Sequence, residues 1–231
     1  MKREKGLSDY PDHDIKLINL NLTDLERIKT MFQQHQTKIS NAVMKDKTGK
    51  MLGKVMTMVI LSIQQPWYRI DEMMQEVKQN GIDCRYIGNW EMKRNAFKYI
   101  LRNRKDIWQS MQDYKAGKID LAELLLIVAS CDGLGLVKAG FVIQLSLGEI
   151  GCLDVHNLRR FGLNASNFKY GANASYTLMR KKAELYIETC NKLGGCEYLW
   201  DSWCEYLAEK NPNRFLNADH VSELHSRALG L

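Results

Sequence analysis

Apolar positions recur at helical spacing along nearly the whole chain. After a polar start, T-D-L-E at Thr23 to Glu26 has the form of a capping box and predicts a helix through Gln36. The lysine-rich stretch Lys45 to Lys50 reads as a connector. From Leu52 the run G-K-V-M-T-M-V-I-L-S-I-Q-Q-P-W is apolar on almost every face, which predicts a helix buried all round and ended by Pro66. Asp71 to Lys78 predicts an amphipathic helix closed by Asn80-Gly81. Between Glu91 and Trp108, Phe97, Ile100, Leu101 and Trp108 share one side, and Arg94, Lys98, Arg102 and Lys105 the other. That basic stripe is either a phosphate-contacting face or a solvated one, since both give the same pattern. Leu121 to Ser130 and Leu136 to Leu147 predict two short apolar helices. Tyr176 to Leu193, Glu197 to Lys210 and Ala218 to Leu229 predict three more, the first two separated by Gly194-Gly195.

Composition agrees with this pattern. Three prolines in 231 residues, with abundant Leu, Met, Lys and Glu, favour long helices over a turn-rich β architecture, so a nearly all-α protein is expected. A 45% hydrophobic content supplies a core for one large domain or two helical lobes sharing a cleft. No apolar run approaches the ~18 residues of a membrane span, and the start M-K-R-E-K-G-L-S-D-Y has no signal-peptide core, so a soluble intracellular protein, cytoplasmic or at the nucleoid, is expected. Six scattered cysteines read as reduced, mostly buried thiols. A net charge of +6 is compatible with a polyanionic partner without requiring one.

Chemistry concentrates between Cys131 and Leu163. Gly133 and Gly135 flank one apolar residue between two helices, so the chain can turn tightly and present main-chain N–H groups at a helix N-terminus, a phosphate-sized anion site. Ordinary helix connections use glycine too. After the next apolar helix come Gly148, Gly151 and L-D-V-H-N-L-R-R, in which Asp154 suits a helix N-cap, a reactive carboxylate, or both.

These residues carry a resemblance. Gly133, Gly135 and Ala139, followed by Leu153, Asp154, His156 and Arg159, resemble the hairpin and catalytic loop of the helix-hairpin-helix (endonuclease III-like) DNA glycosylase superfamily. M-V-I-L-S-I-Q-Q at Met58 to Gln65 is similar to that family's apolar helix ending in S-x-Q. Y-I-G-N-W-E-M-K-R at Tyr86 to Arg94 is similar to its I-G-x-x-x-x-K-A segment. The likeness covers roughly Val55 to Leu163.

It implies an all-α fold of two lobes with the active site in the cleft between them: residues 1–40 with 149–231 carrying the aspartate loop, and residues 41–148 forming a helical barrel that ends in the hairpin. It implies an enzyme acting on double-stranded DNA, with Asp154 as the catalytic carboxylate stabilising the sugar cation or activating water once the base has left the stack. Gln64 matches the glutamine that fills the vacated space, with Gln65 beside it. Gly133, Leu134, Gly135, Lys138 and His156 are expected at DNA, His156 and Arg159 mainly orienting the loop. Trp67, Tyr86 and Trp90 are candidates for the base pocket. A monomer is expected.

The chain departs from the family in places. Val137 stands where bifunctional members carry a Schiff-base lysine, and Lys138, one step on, is turned by about 100° on a helix. A hydrolytic, monofunctional glycosylase is therefore expected, with Lys138 at phosphate or in solvent and, as the lesser alternative, the nucleophile. Asp132 replaces the usual proline of the hairpin. Cys190, Cys196 and Cys204 do not have the spacing of an iron–sulfur ligand set, so no cluster or other cofactor is expected. Asp219, His220 and His225 lack metal-ligand spacing, and no metal is expected. W-D-S-W-C-E-Y-L-A and A-D-H-V-S-E-L-H near the end are unlike the repair members. Two alternatives stay open: a phage-type DNA-modification enzyme of the same superfamily acting on hypermodified thymine, and a DNA-binding module without catalysis.

Overall fold

The structure is a computed structural model that describes residues 22–65, 67–200 and 218–231. The protein is all-α, with no strand among the described residues. In chain order the helices are α1 (Leu22–Lys45), α2 (Lys50–Leu61), α3 (Ile70–Asn80), α4 (Arg85–Gly88), α5 (Glu91–Lys115), α6 (Leu121–Ala129), α7 (Gly135–Leu147), α8 (Val155–Arg160), α9 (Tyr176–Lys192), α10 (residues 195–200) and α11 (Ala218–Leu229). Short 3-10 turns occupy Trp67–Arg69, Gly81–Asp83 and Ala165–Phe168. No helix among the described residues is long and apolar enough to cross a membrane.

Polar side chains set the helix starts. Asp120 accepts from the Glu123 N–H at 2.9 Å, and Ser175 from the Leu178 N–H at 3.3 Å, each taking one of the first-turn donors that lack an intrahelical acceptor. Between α1 and α2 the Asp46 carboxylate accepts from the Thr48 and Met51 N–H groups, and Gly49, at φ 69°, lies so near α5 that a Cβ would sit 2.5 Å from the Arg104 carbonyl oxygen. Only glycine allows α2 to turn in so close to α5.

α2 and α7 are the middle of the protein. Nine residues of α2 are buried, as its all-round apolar pattern predicts, and it packs on α1, α3, α5, α7 and α11. α7 is buried from Ala139 through Ser146 and packs on α1, α2 and α6, while α9 covers the outer side of α6. One hydrophobic cluster runs from Ile39 of α1 to Leu229 of α11.

Several boundaries differ from the sequence-based expectation. α1 continues past Gln36 to Lys45, so a boundary at 40/41 falls inside a helix; the capping box at Thr23 lies where side chains are outside the described residues. α2 ends at Leu61, before Pro66 is reached, and the Leu61 carbonyl accepts from Lys93 instead of continuing the helix. α5 runs to Lys115 rather than Trp108. Leu101, expected on the buried side of α5, is 48% exposed, at a groove that no described element fills. The predicted helix from Glu197 is described only to residue 200; Cys204 lies outside the described residues, and Asp219 and His220 lie on α11 with side chains that, like that of Trp67, are outside what is described.

Candidate functional site

α6 and α7 form two helices joined by a tight turn. The Leu134 N–H donates to the Cys131 carbonyl at 3.0 Å, and Gly133 and Gly135 adopt φ of 79° and 49°. The positive φ at Gly133 favours glycine, and a Cβ there would meet the Met92 sulfur at 2.1 Å, so that side chain would have to move. The first α-helical bond of α7 runs from the Lys138 N–H to the Leu134 carbonyl, so the N–H groups of Gly135, Leu136 and Val137 come before it, and no side chain caps them. Gly133, Gly135 and Asp132 are exposed, whereas the Leu134 side chain is buried and can offer a ligand only its backbone. Asp132 puts a negative charge at the mouth of this turn.

Asp154 is the N-cap of α8. Its Oδ1 accepts from the His156 and Asn157 N–H groups at 3.0 and 2.9 Å, the capping geometry expected of Asp at a helix start. The residue is 9% exposed, and Oδ2 makes no hydrogen bond among the described residues. What distinguishes this cap is the chain leading to it. The buried Tyr186 hydroxyl donates to the Gly151 carbonyl at 2.7 Å and accepts from the Leu153 N–H at 3.0 Å. The buried Gln144 accepts from the Cys152 N–H at 3.2 Å and donates to the Cys196 carbonyl at 2.9 Å. Asn157 Nδ2 donates to the carbonyls of Cys152 and Leu199 at 2.8 and 3.1 Å. Ile150 is held at φ 33°, and a Cβ on Gly151 would overlap Leu199 of α10. Each of these buried groups holds an extended backbone stretch just before the carboxylate.

Lys93, on the first turn of α5, is fully buried and has no ion pair among the described residues. Its Nζ donates to the Leu61 and Ile63 carbonyls at 3.2 and 2.8 Å and lies 5.1 Å from the Trp90 ring centroid. Burial, reinforced by the like charge of Lys138, lowers its pKa from 10.5 to about 8. The lysine thus braces the chain just after α2, where Gln64 is exposed at φ 56°, a conformation unfavourable for a residue with a Cβ. Gln65 is half-buried beside it.

Lys138 connects these two regions. It is half-buried rather than directed freely into solvent, with Nζ 5.9 Å from the Phe141 ring centroid. The Cys152 thiol, next but one to Asp154, has its pKa pushed up by burial and then by the Asp154 charge, while the Lys138 charge pulls it down. The Lys138 charge thus lies within electrostatic reach of both Cys152 and Lys93. The hairpin turn meets the first turn of α5 where Gly133 lies against Met92, and the chain before Gln64 meets it where Ile63 accepts from Lys93. The Asp154 loop meets the first turn of α7 where the Cys152 thiol lies 3.7 Å from the Val137 carbonyl oxygen. His156 is half-buried and Arg159 exposed on α8.

Other candidates go elsewhere. The Tyr86 ring has the Arg85 and Arg69 guanidinium groups 4.7 and 5.4 Å from its centroid, and its hydroxyl donates to Glu72 at 2.8 Å, so it clamps α3 to α4 instead of lining an open pocket. Trp90 stays partly exposed. Arg94, Lys98, Arg102 and Lys105 do form an exposed stripe on α5, Arg94 also donating to the Gly88 carbonyl. Cys84, Cys131, Cys152, Cys190 and Cys196 are free thiols, with Cys131, Cys190 and Cys196 pushed up to about 12 by burial. No group of three metal-ligating side chains occurs among the described residues.

Gln144, Asn157 and Tyr186 were not singled out from the sequence, and Lys93 entered only as the lysine of the I-G-x-x-x-x-K segment, with no role assigned. Lys93 was legible in principle, because it stands in register with Ala96, Phe97 and Ile100 on the apolar face of α5. The others are polar residues in otherwise ordinary helical patterns. No protein-family profile, curated protein or solved structure matches the chain.

Proposed function

We propose that the protein is a DNA N-glycosylase of helix-hairpin-helix type, in which Asp154 promotes hydrolysis of the bond between a flipped base and its deoxyribose. The observation that carries this reading is Asp154 itself: its backbone approach is held by Tyr186, Gln144 and Asn157, one carboxylate oxygen is spent on the α8 cap, and the other is uncommitted among the described residues. A cap alone needs none of that upstream bracing. A fixed carboxylate is what stabilisation of a developing sugar cation requires, because its alignment is then complete before the reaction begins. The C–N bond breaks with its electron pair leaving on the base, water adds to the sugar's anomeric carbon, and its proton passes to the carboxylate or to the departing base.

In this reading the exposed hairpin glycines receive a phosphate of the DNA on the N–H groups opening α7, with Lys138 nearby. Gln64, presented in a left-handed conformation by the Lys93-braced loop, enters the space the base leaves. The cleft lies between two lobes, one carrying the hairpin and one carrying Asp154. Val137 at the position of the Schiff-base lysine makes the product an intact abasic site. The half-buried position of Lys138 on the first turn of α7, where the Cys152 thiol meets the Val137 carbonyl at 3.7 Å, favours a second reading in which its amine, once deprotonated, attacks the anomeric carbon as the base departs.

The test is single-turnover release of free base, detected by mass, from duplexes carrying uracil, 5-hydroxymethyluracil, alkylated and oxidised purines, and mismatched adenine. Asp154→Asn is expected to lower release from the active substrate ~10²-fold or more while leaving DNA affinity equal or higher. A variant keeping more than a tenth of the rate refutes the assignment. No release from any duplex, with an altered base still attached to hypermodified DNA, identifies a modification enzyme instead.

A further inference from the structure

Away from this site, α2, α3, α5 and the end of α11 enclose a cavity of about 260 Å³. Its lining is apolar through Met74, Val77, Phe97, Ile100, Leu101 and Leu229. Lys50, Lys54, Lys78, Arg104 and Arg227 also line it, and none of the described lining residues is Asp or Glu. The chain as a whole carries 33 cationic and 27 acidic residues, so this one-sided charge is local. The cavity touches α2 at Lys50, Gly53, Lys54 and Thr57, whereas Gln64 follows the C-terminal end of that helix at Leu61 and does not line it.

The cavity results from close packing of the helices around it. Gly53 faces α5 with no side chain of its own, and a Cβ there would lie 3.1 Å from Arg104 Cδ, so the arginine stem lies against α2. Lys54 Nζ donates to the Leu229 carbonyl at 3.3 Å, and Arg227 makes only a long contact of 3.9 Å with Asp71. Lys78 and Arg104 form no ion pair among the described residues.

We propose that this cavity binds a small amphipathic anion, an acyl or aryl body ending in a carboxylate or phosphate. Both features of the lining are needed for that choice. An apolar ligand alone would cover the lining but draw water from the lysines without replacing it, and a bare anion would gain little from surface ammonium groups that compete with water. A ligand carrying both covers the exposed Leu101 side chain while its head group meets Lys78 and Arg104, which form no ion pair among the described residues. Duplex DNA has phosphates but no flexible apolar part able to enter a concave lining, so it fits less well.

Amide chemical shifts of the intact protein, labelled with nitrogen-15, test this with octanoate, 1-octanol, acetate, inorganic phosphate and a short duplex. Octanoate is expected to shift the Gly53, Leu101 and Gly230 amides saturably, with 1-octanol at least about tenfold weaker and acetate and phosphate without effect. Lys78→Glu with Arg227→Glu should weaken octanoate at least about tenfold while the rest of the spectrum and the melting temperature are kept. Octanol binding as tightly as octanoate reduces the cavity to an apolar dimple and overturns the proposal. Equal shifts with acetate or phosphate leave a plain anion patch, displacement of octanoate by duplex DNA leaves a polyanion surface, and no saturable shift leaves no site; each overturns it as well.

Discussion

A buried lysine without a carboxylate partner makes stability depend on pH in a way that can be worked out in advance. Lys93 has a pKa of about 8 in the folded protein against 10.5 for an ordinary lysine. Below pH 8 both folded and unfolded chains hold the proton, and the full cost of burying the charge is present. Between pH 8 and pH 10.5 the folded chain releases the proton and the unfolded chain keeps it, so the unfolded state binds more protons and stability rises with pH. At 1.36 kcal/mol per pKa unit the rise approaches about 3 kcal/mol. Buried thiols work the other way: their raised pKa values make the folded state lose stability above the normal thiol range.

Comparison with Lys93→Met separates the two effects, because the thiols are common to both proteins. Methionine fills similar volume, carries no proton, and leaves the Leu61 and Ile63 carbonyls without their donor. Its stability at neutral pH therefore combines relief of a buried charge with loss of hydrogen bonds. The pH dependence of the difference contains only the lysine's titration. Urea unfolding under reducing conditions at intervals from pH 7 to pH 10.5 is expected to show wild type gaining about 2 to 3 kcal/mol on the variant across that range. Parallel curves would mean that Lys93 keeps an ordinary pKa, hence that it is solvated and does not brace the Gln64 loop as described.

Tyr186→Phe removes the hydroxyl bonded to the Gly151 carbonyl and the Leu153 N–H and is expected to cost about 1–3 kcal/mol of stability; base release measured well below the variant's melting temperature should also slow, and an unchanged rate would separate the loop's bracing from catalysis. Strand breakage should follow only alkali or heat, and borohydride should trap no protein–DNA adduct; an adduct that disappears in Lys138→Ala would transfer the chemistry to that lysine. Arg94→Glu with Lys98→Glu should weaken duplex binding and flatten its salt dependence without changing which base is released, and unaltered binding would leave the α5 stripe a solvated face.

What the sequence determined by itself is local. The all-round apolar run of α2, the glycines of the α6–α7 turn and the cap at Asp154 are read from neighbours within a turn or two, where steric freedom and hydrogen-bond demand are set by nearby residues. The tertiary structure decided the rest. Tyr186 reaches Gly151 and Leu153 from more than thirty residues away, and Lys93 reaches the end of α2 over a similar distance, separations at which no periodic pattern carries information. Leu101 and Lys138 show the same limit in opposite directions: a leucine in apolar register stays exposed because no described element covers it, and a lysine expected at phosphate or in solvent is half-buried because α7 packs close to the aspartate loop. Helical phase tells which residues share a face, but what covers that face depends on segments distant in the chain, and this sets desolvation and charge at the candidate site.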